Sequence, residues 1–330
     1  MKALVYTQPL EVTYRDEAEP QAAAGEVVLK IDAVGICGSD MHAYHGHDPR
    51  RNPPLILGHE LAGTVVAGPF LGKRFTANPL ITCGACEFCV QGRNNLCANR
   101  TMVGMTRPGA FAERMSIPVG SLVEIPARMD ARTAALTEPA ATALHALNLS
   151  MRAMQRPLPE GRLLVIGGGA IGMLTALLAR HYGCRDVRVA ETNALRRGSV
   201  AKHAGVAVLD PAKGEAAEAG SMDLVVDAVG AKATRDAAFA AVKPGGVIMH
   251  VGLQDWASEI DMRRLTLAEI TLLGTYTYTT ADLRATVAAL DAGAFGDLAW
   301  VEERPLAEGA RAFRDLHEGR AVSAKIVLRP

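Results

Sequence analysis

The sequence predicts an α/β protein in which a doubly wound parallel sheet is joined to a smaller β-rich domain. Three observations carry this. From Arg162 onward, apolar β-type runs alternate with helical stretches, at Leu163–Ile166, Val187–Ala190, Ala207–Leu209, Leu224–Asp227, Val247–His250 and Ile270–Leu273. The first of these runs enters the glycine turn Gly167-Gly168-Gly169-Ala170-Ile171-Gly172, which opens an apolar helix reaching about Tyr182. Before about residue 140 the texture is different, with short β-type runs broken by Gly and Pro. A length of 330 residues suits about two domains.

In chain order, Met1 to Tyr6 reads as a strand, followed by strands at Glu26–Ile31, Gly63–Val66 and Arg74–Ala77. A helix is expected over Ala131–Leu149. Beyond Thr280 the pattern gives a helix, a β-like run at Leu298–Glu302, another helix, and a last strand at Ala324–Leu328. The expected domains are therefore residues 1–145, residues 146–280, and a segment 281–330 that returns to pack on the first domain. Glu215–Gly220 reads as a short loop, and no internal repeat is present.

Composition narrows the class. Hydrophobic residues make up 49%, and 35 Lys and Arg balance 35 Asp and Glu. No charge excess points to nucleic acid or an anionic membrane. No apolar stretch reaches membrane-spanning length, and the N-terminus lacks the pattern of a secretory leader. A cytoplasmic protein is expected.

The glycine turn has a mechanism. Gly167 permits the tight bend, Gly169 lets the backbone approach a pyrophosphate at the positive helix N-terminus, and Gly172 lets helix and strand pack closely. Glu191, at the end of the second strand, stands where a carboxylate accepts hydrogen bonds from the adenosine ribose. It would repel a 2′-phosphate, which favours NAD over NADP. Arg196 and Arg197 leave NADP open, because either could meet that phosphate.

Four of the six cysteines, Cys83, Cys86, Cys89 and Cys97, follow C-x2-C-x2-C-x7-C. Four thiolates this close can close a tetrahedral shell around a structural zinc. Two disulfides or free thiols are the alternative, and disulfides suit a secreted chain better than this one. A second donor set lies in three separate loops: Cys37, with His42 nearby, then His59-Glu60, then Glu138-Pro139. A thiolate, an imidazole and a carboxylate would leave a fourth zinc position free for substrate. Spacing alone does not bring these loops together. Taken singly, Cys37 reads equally as a small buried residue, His59 as a core histidine and Glu138 as a helix N-terminal carboxylate.

Together these motifs resemble the zinc-dependent medium-chain alcohol and polyol dehydrogenases. The resemblance rests on Gly35-Ile36-Cys37-Gly38-Ser39-Asp40-Met41-His42, Gly58-His59-Glu60-Leu61-Ala62-Gly63, the four-cysteine lobe over 83–97, Glu138-Pro139 and the glycine turn. It implies a GroES-like catalytic domain, a Rossmann-type NAD domain, a catalytic and a structural zinc, and a homodimer or homotetramer pairing near Ile270–Tyr276. Cys37 and His59 are implied as zinc ligands, with Glu60 or Glu138 as the acid. Glutamate at 138, where the alcohol dehydrogenases proper carry cysteine, leans toward the sorbitol and threonine dehydrogenase branch.

The resemblance further implies that Asp40 orients His59, and that the proton leaves through Ser39, the cofactor ribose and His42. Gly38 stands where some members carry an arginine on the pyrophosphate. The implied cofactor contacts are Gly167, Gly169, Ala170, Ile171, Gly172, Glu191, Arg196, Val229 and Val251. One departure stands out: Pro69-Phe70-Leu71 leads almost directly into Gly72-Lys73-Arg74-Phe75, several residues short of the family's loop.

The expected reaction is hydride transfer between a secondary alcohol, polyol or amino-alcohol and NAD. An NADPH-dependent aldehyde or ketone reductase and a non-catalytic cofactor-binding relative are the alternatives. Retention of Cys37, Ser39, His42, His59 and Glu138 argues against the last. Substrate contacts are open: Tyr44, His45 and His47 suit a pocket mouth or a solvated loop, and Trp256, Tyr276 and Tyr278 suit pocket, interface or core. Cys184 reads as a small residue after a helix, and Lys325-Ile326-Val327-Leu328 as a structural closing strand.

Overall fold

The computed structural model describes residues 1–330. The second half of the chain builds a six-stranded parallel sheet. Its order is Ala207–Leu209, Asp186–Ala190, Arg162–Ile166, Met222–Asp227, Val242–His250 and Thr271–Gly274. Strand residues alternate between two apolar clusters. Leu163, Val165, Leu224, Val226, Val247 and Met249 face one, with Met173 and Leu178. Leu164, Ile166, Val225 and Ile248 face the other, with Phe239. A sheet covered on both faces explains why these strands read as unbroken apolar runs. The strand order reverses between Arg162–Ile166 and Met222–Asp227, and a crevice at that switch point is where such sheets take ligands.

The first part of the chain forms a second, mostly antiparallel unit. Its larger sheet runs Leu122–Glu124, Arg74–Ala77, Glu60–Ala67, Glu26–Gly35, Lys325–Arg329, Val301–Pro305, with Arg114–Pro118 also on Glu26–Gly35. A smaller sheet of Glu11–Asp16, Lys2–Gln8 and Leu55–Ile56 packs beside it. The chain's last strand lies in this larger sheet, with Val327 opposite Gly35 and Leu328 opposite Val34. The helix Thr280–Asp291 belongs instead to the apolar cluster of the parallel sheet, through Leu283, Val287 and Leu290.

Two elements differ from the sequence reading. The helix expected over Ala131–Leu149 is two helices, Ala131–Ala135 and Thr137–Ala153, meeting at Leu136. Pro139 supplies the reason: deep in a continuous helix its ring would meet the preceding turn, whereas near a helix start its missing N–H costs nothing. The restart places Glu138 in a first turn. The strand expected at Leu298–Glu302 is Val301–Pro305, because Leu298 takes a left-handed φ of 56° that ends any extension through it. The short turn after Gly68 is a tight hairpin link, with Phe70 at φ 66° and Lys73 paired to Glu124 across the sheet.

Candidate metal and cofactor site

Cys37 closes the N-terminus of the helix Gly38–Tyr44. Its Sγ accepts from the Ser39 N–H at 3.5 Å, and its own N–H donates to Asp40 Oδ2 at 3.0 Å. His59 immediately precedes, and Glu60 opens, the strand alongside Glu26–Gly35, with Glu60 opposite Gly35. A side chain at Gly35 would overlap the Glu60 carboxylate, so only glycine leaves room for it. Donor atoms of Cys37, His59 and Glu60 lie within 4.8 Å of one another. Distant loops have become one thiolate–imidazole–carboxylate set, whose chemistry fits zinc with a fourth position open.

The surroundings of these donors orient them. Asp40, wholly buried, sets Oδ1 3.4 Å from His59 Nδ1, at ion-pair distance but without hydrogen-bond geometry. That leaves His59 Nε2 toward Ser39 Oγ, at 3.5 Å. Burial disfavours a charged His59, yet the charges of Asp40 and Cys37 hold its pKa well above the ordinary value. A metal would take the place of that proton, because a ligating imidazole is neutral.

The two candidate acids differ. Both Glu60 oxygens accept from Lys325 Nζ at 2.6 Å, and that ammonium also donates to the Ile36 carbonyl at 2.7 Å. Glu138 Oε1 accepts from the Tyr278 hydroxyl at 3.0 Å, with both groups buried. Glu138 is outside the close donor set. Lys325 and Tyr278 are partners that sequence reading missed, one taken as part of a structural strand and the other left open. A lone lysine opening the apolar run Ile326-Val327-Leu328 was the available signal.

Burial above all raises the Glu138 carboxyl to about 7; His59 opposes the rise and the charge of Glu60 adds to it. A carboxyl with a folded pKa above its unfolded value stabilises fully below the unfolded pKa, and that contribution is lost as pH rises through the folded one. Chelator-treated protein is therefore expected to lose stability between about pH 4.5 and pH 7. Glu138→Gln should flatten this slope in urea titrations across that range. An unchanged slope would remove Glu138 as its source.

One cavity of about 430 Å³ joins this set to the switch point of the parallel sheet. Cys37, His42 and Glu60 line one end, and Gly167, Gly169, Ala170, Ile171, Gly172, Glu191, Arg196 and Val229 line the other. A side chain at Gly172 would overlap the Gly167 carbonyl oxygen, which explains the glycine where helix and turn pack. Glu191 accepts from the backbone N–H of Gly168 at 2.8 Å and of Asn193 at 2.7 Å. Of the two arginines left open, Arg197 is committed to Asp210 and to the carbonyls of Glu191 and Thr192, while Arg196 lines the cavity. Val251 lies outside the cavity lining, partly buried against the core, with its N–H on the Asp227 carbonyl.

His45 and His317 also line the cavity, meeting through Nε2 and Nδ1 at 2.9 Å, with His47 close to His45. Tyr44 is core, and Trp256 is 89% exposed. Tyr276 lies beneath the Arg100 guanidinium and accepts from Asn95 through its carbonyl. Cys184 is buried, which pushes its thiol up to about 11.

Cys83, Cys86, Cys89 and Cys97 gather with sulfurs within 4.8 Å and no disulfide. Cys83 lies 3.9 Å from Cys89 and 3.6 Å from Cys97. A tetrahedron with Zn–S near ~2.3 Å spaces its sulfurs by ~3.8 Å, so the cluster fits a closed zinc site. Backbone N–H groups of Ala85 and Cys86 lower the Cys83 thiol to about 6.

Known proteins match this architecture. The alcohol dehydrogenase GroES-like domain matches residues 23–127, and the zinc-binding dehydrogenase domain matches residues 170–292. The chain is 31% identical over 295 residues to an L-galactonate-5-dehydrogenase of Escherichia coli, covering 86% of this chain and 85% of the relative. It is 30% identical over 293 residues to an L-threonine 3-dehydrogenase of Pectobacterium carotovorum, covering 84% of each. A structure from Sinorhizobium meliloti described as a zinc-binding dehydrogenase bound to NADP superposes with a TM-score of 0.88 at 30% identity, covering 100% of this chain and 99% of the other.

Proposed function

The chain belongs to the zinc-dependent alcohol and polyol dehydrogenase family, and from that premise we propose that Cys37, His59 and a glutamate hold its catalytic zinc while Ser39 and His42 carry the proton. It is an oxidoreductase that transfers a hydride between an alcohol carbon and NAD(P). The observation that carries the site assignment is the convergence of three donors at one end of a cavity whose other end is the glycine turn.

When bound, zinc supplies Lewis acidity that makes the substrate hydroxyl acidic, and the nicotinamide accepts the hydride. The chain does the rest. Asp40 holds the His59 ring, Gly35 leaves space for the Glu60 carboxylate, and Lys325 neutralises that carboxylate away from solvent. In this arrangement Glu60 is ion-paired to Lys325, whereas Glu138 is held by the Tyr278 hydroxyl and makes no ion pair. Cys83, Cys86, Cys89 and Cys97 hold the second zinc as a staple of the lobe.

Ser39 takes the substrate proton and His42 delivers it to solvent. Burial first, and then His47, lower the His42 pKa below its ordinary value, which keeps the ring neutral and able to accept near pH 7. His42→Ala is expected to slow turnover mainly at low pH and to recover partly with added small bases. A pH–rate profile identical to that of the parent would take His42 out of the relay.

The cofactor is NAD, with the Glu191 carboxylate at the adenosine end. Arg196 in the same cavity is the observation that keeps NADP as a second reading. Substrate preference is proposed for polyols and sugar acids, supported by the relatives' activities and by the polar wall of His42, His45, His317 and Lys325. The proposed domains run over 1–145, 146–280 and 281–330, with the helix Thr280–Asp291 at the start of the last segment packing on the parallel-sheet cluster and the strands after it joining the first domain's sheet. The protein is placed in the cytoplasm as a homodimer or homotetramer; exposed Trp256, Leu253 and Leu272 near the open sheet edge Thr271–Gly274 support pairing there. No helix is long and apolar enough to cross a membrane.

The test is an NAD- and NADP-linked screen over polyols, sugar acids, simple secondary alcohols and threonine. NADH formation with a polyhydroxylated substrate is the expected result. Turnover only in the reductive direction with NADPH would favour the reductase reading, and no turnover with any alcohol would overturn the assignment.

A further inference from the structure

We propose that Arg51, with Asp48, is a positioning residue that fixes the direction of proton transfer through Ser39, an inference that rests on the alcohol-oxidation reading above. Arg51 is only 2% exposed. Its Nη2 donates to Ser39 Oγ at 3.2 Å and its Nη1 to the Ser39 carbonyl at 3.0 Å. Nη1 also reaches Asp48 Oδ2 at 2.7 Å, and Nε donates to the Gly104 carbonyl at 3.0 Å. These bonds join three segments. One is the helix start that follows Cys37, another is the turn around Asp48, and the last is the Gly104 turn, which packs on Gly58 beside His59.

A guanidinium only donates and keeps its protons in a protein, whereas a serine hydroxyl has one hydrogen and two lone pairs. With one lone pair filled by Arg51, the Ser39 hydrogen cannot point back toward the guanidinium. It is turned away from Arg51, to the side where His59 Nε2 lies at 3.5 Å and where His42, which lines the cavity, stands one helical turn on. Once a metal occupies His59 Nε2, the second lone pair is left to accept the proton of the substrate hydroxyl. Ser39 thus gains one proton as it releases its own, with no net change, and the proton cannot run into the interior. Asp48 neutralises the buried guanidinium. It also accepts from the Arg50 backbone at 3.1 Å and side chain at 2.8 Å, so it retains a partner when Arg51 is replaced.

The experiment compares Arg51→Met and Arg51→Lys in the native and Ser39→Ala backgrounds. It measures kcat and KM for the best alcohol of the screen, the solvent deuterium isotope effect, zinc per chain and NADH affinity. Arg51→Met is expected to lower kcat by about 10- to 100-fold while KM moves far less, a loss typical of disturbed proton transfer. The isotope effect should rise, Arg51→Lys should restore part of kcat, and zinc content and NADH affinity should hold. In the Ser39→Ala background neither substitution should cost more. If Arg51→Met does not fold, the Arg51→Lys cycle decides by the same criteria. Losses that multiply in both backgrounds, a loss that tracks zinc content, or an Arg51→Met enzyme with native kcat and isotope effect would each overturn the proposal. A parent inactive on every alcohol overturns the alcohol reading and this inference with it. An active parent indifferent to Arg51 overturns this inference alone.

Discussion

Cys37→Ser is expected to cut kcat/KM for alcohol oxidation by about a thousandfold or more, and to lower bound zinc from two ions per chain to one. Lewis-acid activation is worth several kcal/mol of barrier, and ~4 kcal/mol corresponds to roughly 10³ in rate. Cys37 is the softest donor of the set, and a serine hydroxyl is a far poorer zinc ligand than a thiolate. The fold should survive, because Cys37 is only partly buried and its loop is held independently by Asp40 and Arg51. Metal analysis beside steady-state kinetics on the same preparation checks this. Full zinc content with full activity would show that the metal chemistry lies elsewhere.

The second large effect concerns stability. Lys325 and Glu60 are both buried, 265 residues apart, and joined by two 2.6 Å contacts. Removing one partner of a buried pair leaves a charge without compensation, at a cost of about 3–5 kcal/mol. Lys325→Met should therefore destabilise the protein by that order in denaturant titration. Glu60→Gln with Lys325→Met should recover much of the loss, because the uncompensated charge is gone. The pair also binds the last strand to the strand that carries the metal donors, so the single variant should loosen the site as well as the fold. A double variant as unstable as Lys325→Met would mean that packing, and not charge, is what Lys325 supplies.

What the sequence made legible was whatever is written at short range. The alternation of the parallel strands, the glycine turn and the cysteine spacing are local signals, and each describes an element the chain builds by itself. The donors Cys37, His59 and Glu60 were named from motifs, although only the fold brings them within 4.8 Å. What stayed hidden were partners far apart in the chain. Tyr278 meets Glu138 across 140 residues, and Lys325 meets Ile36 across 289, with no spacing to announce either. Arg51 was hidden differently. A charged residue in a Pro-rich loop reads as solvated, and nothing local says that four acceptors wait for its guanidinium. The helix break at Leu136 was readable, since Pro139 three residues on cannot sit deep in a continuous helix.

Graded chelation, with zinc counted per chain against the initial rate of NAD-linked alcohol oxidation, shows whether the Cys37–His59 site carries the chemistry. The four-thiolate site is closed and the Cys37–His59 site keeps an open position, so the latter should release its metal first. Activity is expected to fall in proportion to the first zinc lost while the fold persists, and to return when zinc is added. Full activity after one zinc equivalent has left, or activity lost only when the lobe unfolds, would contradict that assignment.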